Sequence, residues 1–218
     1  MKPLENKNKT PILIWGASGQ AEVVTDILAS TDEYSIAAYI DNSGSERQHN
    51  LFLSKPVLHT FEDVRKQYRK GIHHVIVAIG DINTRVKITK TLVDMDFSFI
   101  NAIHRTAIIS NRANIGLNTI IKAGAIIDPS VTTGNHCYIG AGVTIGHNSS
   151  IGEFVNITGG SKISGHVQIG ERVFIGTGCA VKDHVTIGKT SVIGVGSVVV
   201  SDIPPNSVAK GVPAKAVR

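Results

Sequence analysis

The chain has 218 residues, 42% of them hydrophobic, enough for one large domain or two small ones with a sizeable core. Two cysteines, Cys137 and Cys179, are too few for a disulfide framework; no CxxC pair suggests zinc or redox chemistry, and no run of about 18 apolar residues predicts a membrane span. The formal charge of +5 suits an anionic partner, but Lys and Arg are scattered rather than clustered, which favours phosphorylated small molecules over nucleic acid.

The polar start, "MKPLENKNKT", has no signal-type apolar run behind it, and a cytoplasmic location is expected. "PILIW" (11–15) then reads as a strand, "GASGQ" as a glycine turn and "AEVVTDILA" as a helix. The pattern recurs. "SIAAYI" (35–40) predicts a strand ending at Asp41-Asn42, "FEDVRKQYRK" (61–70) a helix, "HHVIVAIG" (73–80) a strand and "NTRVKITKTLVDM" (83–95) a helix, while "FSFINAI" (97–103) leads into the C-terminal half of the chain. Alternation of this kind predicts a small Rossmann-like α/β domain over residues 1–102.

In such domains ligands sit beyond the carboxyl ends of the strands. Gly16-Ala17-Ser18-Gly19 falls short of a full GxGxxG fingerprint, so it reads either as a tight strand-to-helix turn or as a phosphate cradle. Asp41 follows Gly19 by 22 residues, close to the spacing of about 20 for a ribose-binding carboxylate, which favours a nucleotide. Asn42 beside it, and Gly80, Asp81 and Arg85 at the third strand end, complete the expected substrate-binding set.

From Ile103 onward the period changes to six. Every sixth residue from Ile103 to Val199 is Ile or Val in sixteen of seventeen cases, Thr133 being the exception. Small or β-branched residues such as Ala125, Val143 and Ser149 stand two places earlier, and glycine often follows, as at Gly116, Gly140, Gly146, Gly152, Gly170 and Gly188. A helix of period 3.6 cannot keep a period of six on one face, whereas a short strand plus a turn can. Three such sides close a triangular coil of 18 residues, in which glycine is expected to permit the bend. Coils stacked about 4.8 Å apart would bury columns of β-branched side chains, each contributing roughly 1.5–3 kcal/mol. The expectation is a hexapeptide β-helix over 103–218, with Pro204-Pro205 ending the pattern and "GVPAK" in the tail.

One imidazole interrupts this rhythm, His147 in "IGHNSSIGEF", followed by Asn148. A neutral imidazole accepts a proton near physiological pH, and an amide can orient the ring but brings no charge. One coil of 18 residues places Gly165 beside His147, where a backbone N–H can steady an oxyanion.

An α/β domain with "GASG" joined to a hexapeptide helix ending in "GVPAK" resembles the sugar acyltransferases that include the bacillosamine-pathway N-acetyltransferases and the sialic acid O-acetyltransferases. The resemblance implies a left-handed parallel β-helix, acetyl-CoA as co-substrate without a metal, and a homotrimer with active sites between subunits. It also implies a UDP-linked 4-amino-4,6-dideoxy-N-acetylhexosamine held by the first domain, and neither nucleic-acid binding nor membrane insertion. His147 matches the base of that family and Asn148 stands where a carboxylate is common. Asn156 falls where some members carry a second, acyl-contacting histidine, and Gln20 replaces the usual histidine after the glycine turn. Asn156, Gly165, Thr177, Lys210 and Lys215 are the residues expected to meet acetyl-CoA, with Arg218 as a further tail cation.

His136, His166 and His184 lack the His-x4-His pairing of zinc-binding relatives and are expected to face solvent or an interface. Three readings of function stay open from residues alone: the UDP-sugar N-acetyltransferase, a sialic acid O-acetyltransferase or GDP-perosamine-type N-acetyltransferase, and a non-catalytic trimeric sugar-nucleotide-binding protein.

Overall fold

The computed structural model describes residues 9–44 and 50–217; the polar leader up to Asn8 and the cation Arg218 lie outside the described residues. Two compact units make up the chain, one ending at Ile100 and the other beginning at Asn101.

The first unit is a six-stranded sheet with helices. β1 (Thr10–Trp15), α1 (Gly19–Ala29) and β2 (Tyr34–Ile40) are followed by a hairpin of β3 (Leu51–Phe52) and β4 (Lys55–Leu58). Then come α2 (Phe61–Arg69), β5 (His74–Val77), α3 (Ile82–Val93) and β6 (Ser98–Phe99). The order across the sheet is β3-β4-β2-β1-β5-β6, parallel except for β3 against β4. Leu13, Trp15, Val75 and Val77 form its core together with Val64 and Leu92 from the helices. The order therefore reverses at β1, with β2 on one side and β5, reached from β4 through α2, on the other, the switch point beyond whose carboxyl ends ligands bind in such sheets. The hairpin was not expected from the sequence. Its turn is Leu53-Ser54 at φ +46° and +62°, a conformation usually signalled by Asn-Gly or Asp-Gly.

The second unit is the left-handed parallel β-helix. Two-residue strands recur every six residues, and the second residue of each is the Ile, Val or Thr133 of the repeat. Ile127, Ile145, Ile163, Val181 and Val199 stack in register, 18 apart, and their counterparts on the other two sides do the same. These columns and the residues two places earlier, including Val143, Val155 and both cysteines, form the core. Serines at the same inner positions stay satisfied by bonding the next coil: Ser149 Oγ donates to Ser164 O at 3.0 Å and Ser161 Oγ to Gly176 O at 3.0 Å.

Two expectations are corrected. Pro204-Pro205 do not end the stacking, because Val208–Gly211 still pairs with Val192–Ile193; the last coil is shortened to 16 residues, and Ala214–Ala216 folds back antiparallel on it. The glycine after each repeat residue is also not there for the bend. A Cβ on Gly146 would lie 2.6 Å from Gly165 N, and one on Gly140 2.5 Å from Gly159 N, so the backbone of the next coil occupies that space. The bend comes two residues later, at positive φ, and is mostly made by residues other than glycine.

Candidate active site

At the carboxyl ends of the first unit's strands, Gly16 has φ +130° and a Cβ there would lie 2.8 Å from Ala78 O, so only glycine fits between β1 and β5. Its N–H donates to Ile40 O at 2.8 Å. Ala17 is half-buried, while Ser18 and Gly19 are exposed. Ser18 is the N-cap of α1, yet its side chain caps nothing, which leaves the hydroxyl available at a helix N-terminus. Asp41 donates its N–H to Leu58 O at 2.9 Å and accepts from Ser43 N at Oδ1, 3.0 Å; Asn42 next to it is exposed.

The third strand end is already engaged in the fold. Asp81 caps α3, accepting from Thr84 N at 2.8 Å, and hydrogen bonds from the Thr84 side chain and backbone hold its carboxyl below the usual carboxylate range. Arg85 is 4% exposed, and its Nη1 donates to Ile79 O at 2.8 Å. Gly80 is exposed between them. One residue at this end escaped the sequence reading: His59, whose Nδ1 lies 2.9 Å from Asp41 O.

In the β-helix, His147 and Asn148 lie at the corner between the Thr144–Ile145 and Ser150–Ile151 strands, and both are exposed. Asn148 holds φ +59° and places Oδ1 3.0 Å from His147 Nδ1. An amide oxygen accepts only, so Nδ1 carries a proton, and in the neutral ring the lone pair is on Nε2. The ring lies over the next coil, where a Cβ on Gly165 would be 3.0 Å from both Cε1 and Nε2. Among the described residues the Gly165 N–H makes no hydrogen bond, so a donor stands beside a proton acceptor. Below, His166 meets the His147 ring edge-to-face at 5.0 Å and stacks on His184 at 4.6 Å.

The other predicted residues of this unit are not at this corner. Asn156 lies on the strand Asn156–Ile157, 5% exposed and in register between Tyr138 and Phe174. Thr177 is exposed at the next corner, its hydroxyl 3.2 Å from that of Thr158. Lys210 and Lys215 are exposed cross-strand partners extending the same sheet as Asn156. In a triangular coil that sheet is the side opposite the His147 corner. Within one chain, Asn156, Lys210 and Lys215 therefore face away from His147, and Thr177 lies at another corner, at the far end of the side that carries Thr144–Ile145.

His136 departs from expectation: it is 6% exposed and stacks on Phe154 at 4.6 Å, one coil on, instead of facing outward. Both cysteines are buried and free, and burial pushes the Cys179 thiol up, away from the reactive thiolate. Among the described residues no three His, Cys, Asp or Glu side chains are grouped to hold a metal ion.

Residues 11–92 match the family described as the PglD N-terminal domain. A search of curated proteins finds no match. Among solved structures, the perosamine N-acetyltransferase PerB from Caulobacter crescentus, in complex with CoA and GDP-perosamine, is 32% identical with a TM-score of 0.89 over 95% of this chain and 97% of that one. The acetyltransferase domain of PglB from Neisseria gonorrhoeae, in complex with acetyl coenzyme A, is 27% identical with a TM-score of 0.87 over 96% and 100%. WeeI from Acinetobacter baumannii, 23% identical with a TM-score of 0.82 over 94% and 99%, shares the fold. Identity and superposition that run through both units, over nearly the full length of a perosamine N-acetyltransferase, make the chain a member of the hexapeptide-repeat sugar N-acetyltransferases.

Proposed function

We propose that the chain transfers the acetyl group of acetyl-CoA to the C4 amino group of a UDP-4-amino-4,6-dideoxy-N-acetylhexosamine, a bacillosamine-type step in glycan biosynthesis. The observation that carries the chemistry is the His147–Asn148 hydrogen bond, which in the neutral ring puts the lone pair on Nε2, beside the open N–H of Gly165. The relatives solved with CoA plus a nucleotide-linked amino sugar, and with acetyl coenzyme A, support the reaction class.

Acetyl-CoA supplies a thioester carbonyl and a thiol leaving group. His147 Nε2 takes the proton that the amine loses as its nitrogen bonds to the acyl carbon, and Asn148 holds the ring in the competent tautomer. The Gly165 N–H donates to the oxyanion, and the imidazolium returns its proton to sulfur as the C–S bond breaks. An uncharged amine is already a good nucleophile, so an amide partner in place of a carboxylate suffices. Gly16, Ala17, Ser18 and Gly19, with Asp41 and Asn42, form the nucleotide cradle; Gly80, Asp81 and Arg85 build its third strand end.

Asn156, Thr177, Lys210 and Lys215 are assigned to acetyl-CoA, the two lysines pairing with its phosphates. The place of Asn156, Lys210 and Lys215 opposite the His147 corner supports an active site completed by a second copy, and hence the trimer. Both proposed substrates, acetyl-CoA and a nucleotide sugar, suit a cytoplasmic enzyme; among the described residues no helix is long and apolar enough to cross a membrane.

A second reading replaces UDP by GDP, with perosamine-type acceptors, and is favoured by the GDP-perosamine complex of PerB. Thiol release from acetyl-CoA, measured with UDP-4-amino-4,6-dideoxy-N-acetylglucosamine, GDP-perosamine and sialic acid in parallel, separates them. Release with the UDP sugar is the expected result; release with GDP-perosamine alone moves the assignment to the second reading, and silence with all three rejects both.

A further inference from the structure

We infer that His59 is a positioning residue for the nucleotide-sugar pocket, holding Asp41 in place through its own side chain; this rests on the reading that Asp41 contacts the nucleotide.

β2 and β4 pair in parallel register, Tyr39 with Val57 and Ile40 with Leu58, and the ladder runs one residue further through Asp41 N–H to Leu58 O. In a parallel ladder the next bond would join Asp41 C=O to the N–H of residue 60. The chain turns away instead, because Thr60 is the N-cap of α2 and its hydroxyl accepts from Asp63 N. The His59 ring fills that position, with Nδ1 at 2.9 Å from Asp41 O. A carbonyl only accepts, so Nδ1 is the protonated nitrogen and donates. Asp41 is thus bracketed on both its N–H and its C=O, one residue past the end of β2.

The other nitrogen shows that this bond is the reason for the histidine. Nε2 is buried with no hydrogen-bond partner among the described residues. An orphaned buried acceptor is a cost that an apolar side chain of similar volume would not carry. The imidazole remains because its Nδ1–H replaces a missing backbone donor. Among the described residues just beyond Asp41, Ser43 bonds Oδ1 and Gly44 holds φ +67°. A carboxylate that reads a ligand hydroxyl needs sub-ångström placement, and the bracket supplies it.

Four variants test this: His59→Leu removes both nitrogens, His59→Asn keeps a donor at the Nδ1 position, His59→Gln moves the donor to the Nε2 position, and Asp41→Asn tests the underlying contact. The readouts are KM for the nucleotide sugar, KM for acetyl-CoA, and kcat. The inference expects His59→Leu and His59→Gln to raise the sugar KM about tenfold with kcat and acetyl-CoA KM nearly unchanged, and His59→Asn to restore most of the loss. Should His59→Leu not fold, the Asn and Gln pair carries the test. Wild-type kinetics in His59→Gln, or equal damage in Asn and Gln spread over all three parameters, overturns the inference. An unchanged sugar KM in Asp41→Asn removes the nucleotide reading beneath it, a different failure that leaves the His59 bracket a purely structural feature.

Discussion

Two corners of the β-helix have the same backbone and opposite contents. At one, Ser130, Asn148, His166 and His184 all hold φ near +60°; at another, Gly124, Gly142, Gly160, Gly178 and Gly196 hold φ of +65° to +73°. The left-handed conformation disfavours side chains with a Cβ, yet the first corner carries four of them. Backbone geometry therefore does not require the glycines. Nor does packing within the chain, since a Cβ on Gly142, Gly160, Gly178 or Gly196 meets nothing within 4 Å and one on Gly124 only touches at 4.0 Å. The first corner carries imidazoles and an amide, and the second carries no side chain at its positive-φ position. That division fits a site in which the base of one copy meets the bare corner of another, with acetyl-CoA between them.

The sharpest way to break this comparison is His147→Ala, which should lower turnover by at least about a hundredfold with the fold retained by circular dichroism. Unchanged turnover would leave the histidine corner with no chemistry to present. Two glycines then separate stacking from function. Gly146→Ala puts a Cβ 2.6 Å from the next coil's backbone and should lower unfolding free energy by about 1–3 kcal/mol in a denaturant titration. Gly165→Ala meets the His147 ring, which can tilt away, and the His147 carbonyl oxygen at 3.3 Å, so turnover should fall about tenfold while stability falls by about 1 kcal/mol or less.

On the bare corner, Gly160→Ala should cost about 1–2 kcal/mol of backbone strain and raise KM for acetyl-CoA; strain without a KM change would make that corner plain surface. The smallest expected effect lies in the first unit. Asp81→Ala removes the α3 cap and should cost about 1 kcal/mol near neutral pH. Because the folded carboxyl is held below its ordinary value, the contribution is fully present above the usual carboxylate range and is lost as pH falls through the folded pKa. Melting curves of wild type and variant should therefore converge on acidification.

The β-helix was legible because one inward residue in six satisfies both the strand and the stack, so the core shows directly as a period. The role of Gly146 was not, since a bend and a close approach both select glycine and only coordinates tell them apart. The hairpin of β3 and β4 stayed hidden because Leu53-Ser54 carries no turn signature, and His59 with it, because its partner Asp41 comes near only through that strand. Asp81 and Arg85 read from the sequence as ligand contacts alone, and only the structure reveals their partners in the fold: a cap on Thr84 and a bond to Ile79 O. His136 looked like any outward imidazole until Phe154 was seen to cover it from the next coil.

The most direct test of a site shared between copies is complementation. His147→Ala removes the proposed base, and Thr177→Arg crowds the bare corner, a different corner of the same chain. Each alone should be nearly inactive in thiol release from acetyl-CoA with the accepted amino sugar. Assemblies formed by co-expressing the two variants should recover a substantial fraction of wild-type activity, because some interfaces then pair an intact His147 with an intact Thr177. Activity no greater than the sum of the two variants would contradict the account and place the whole site within one chain.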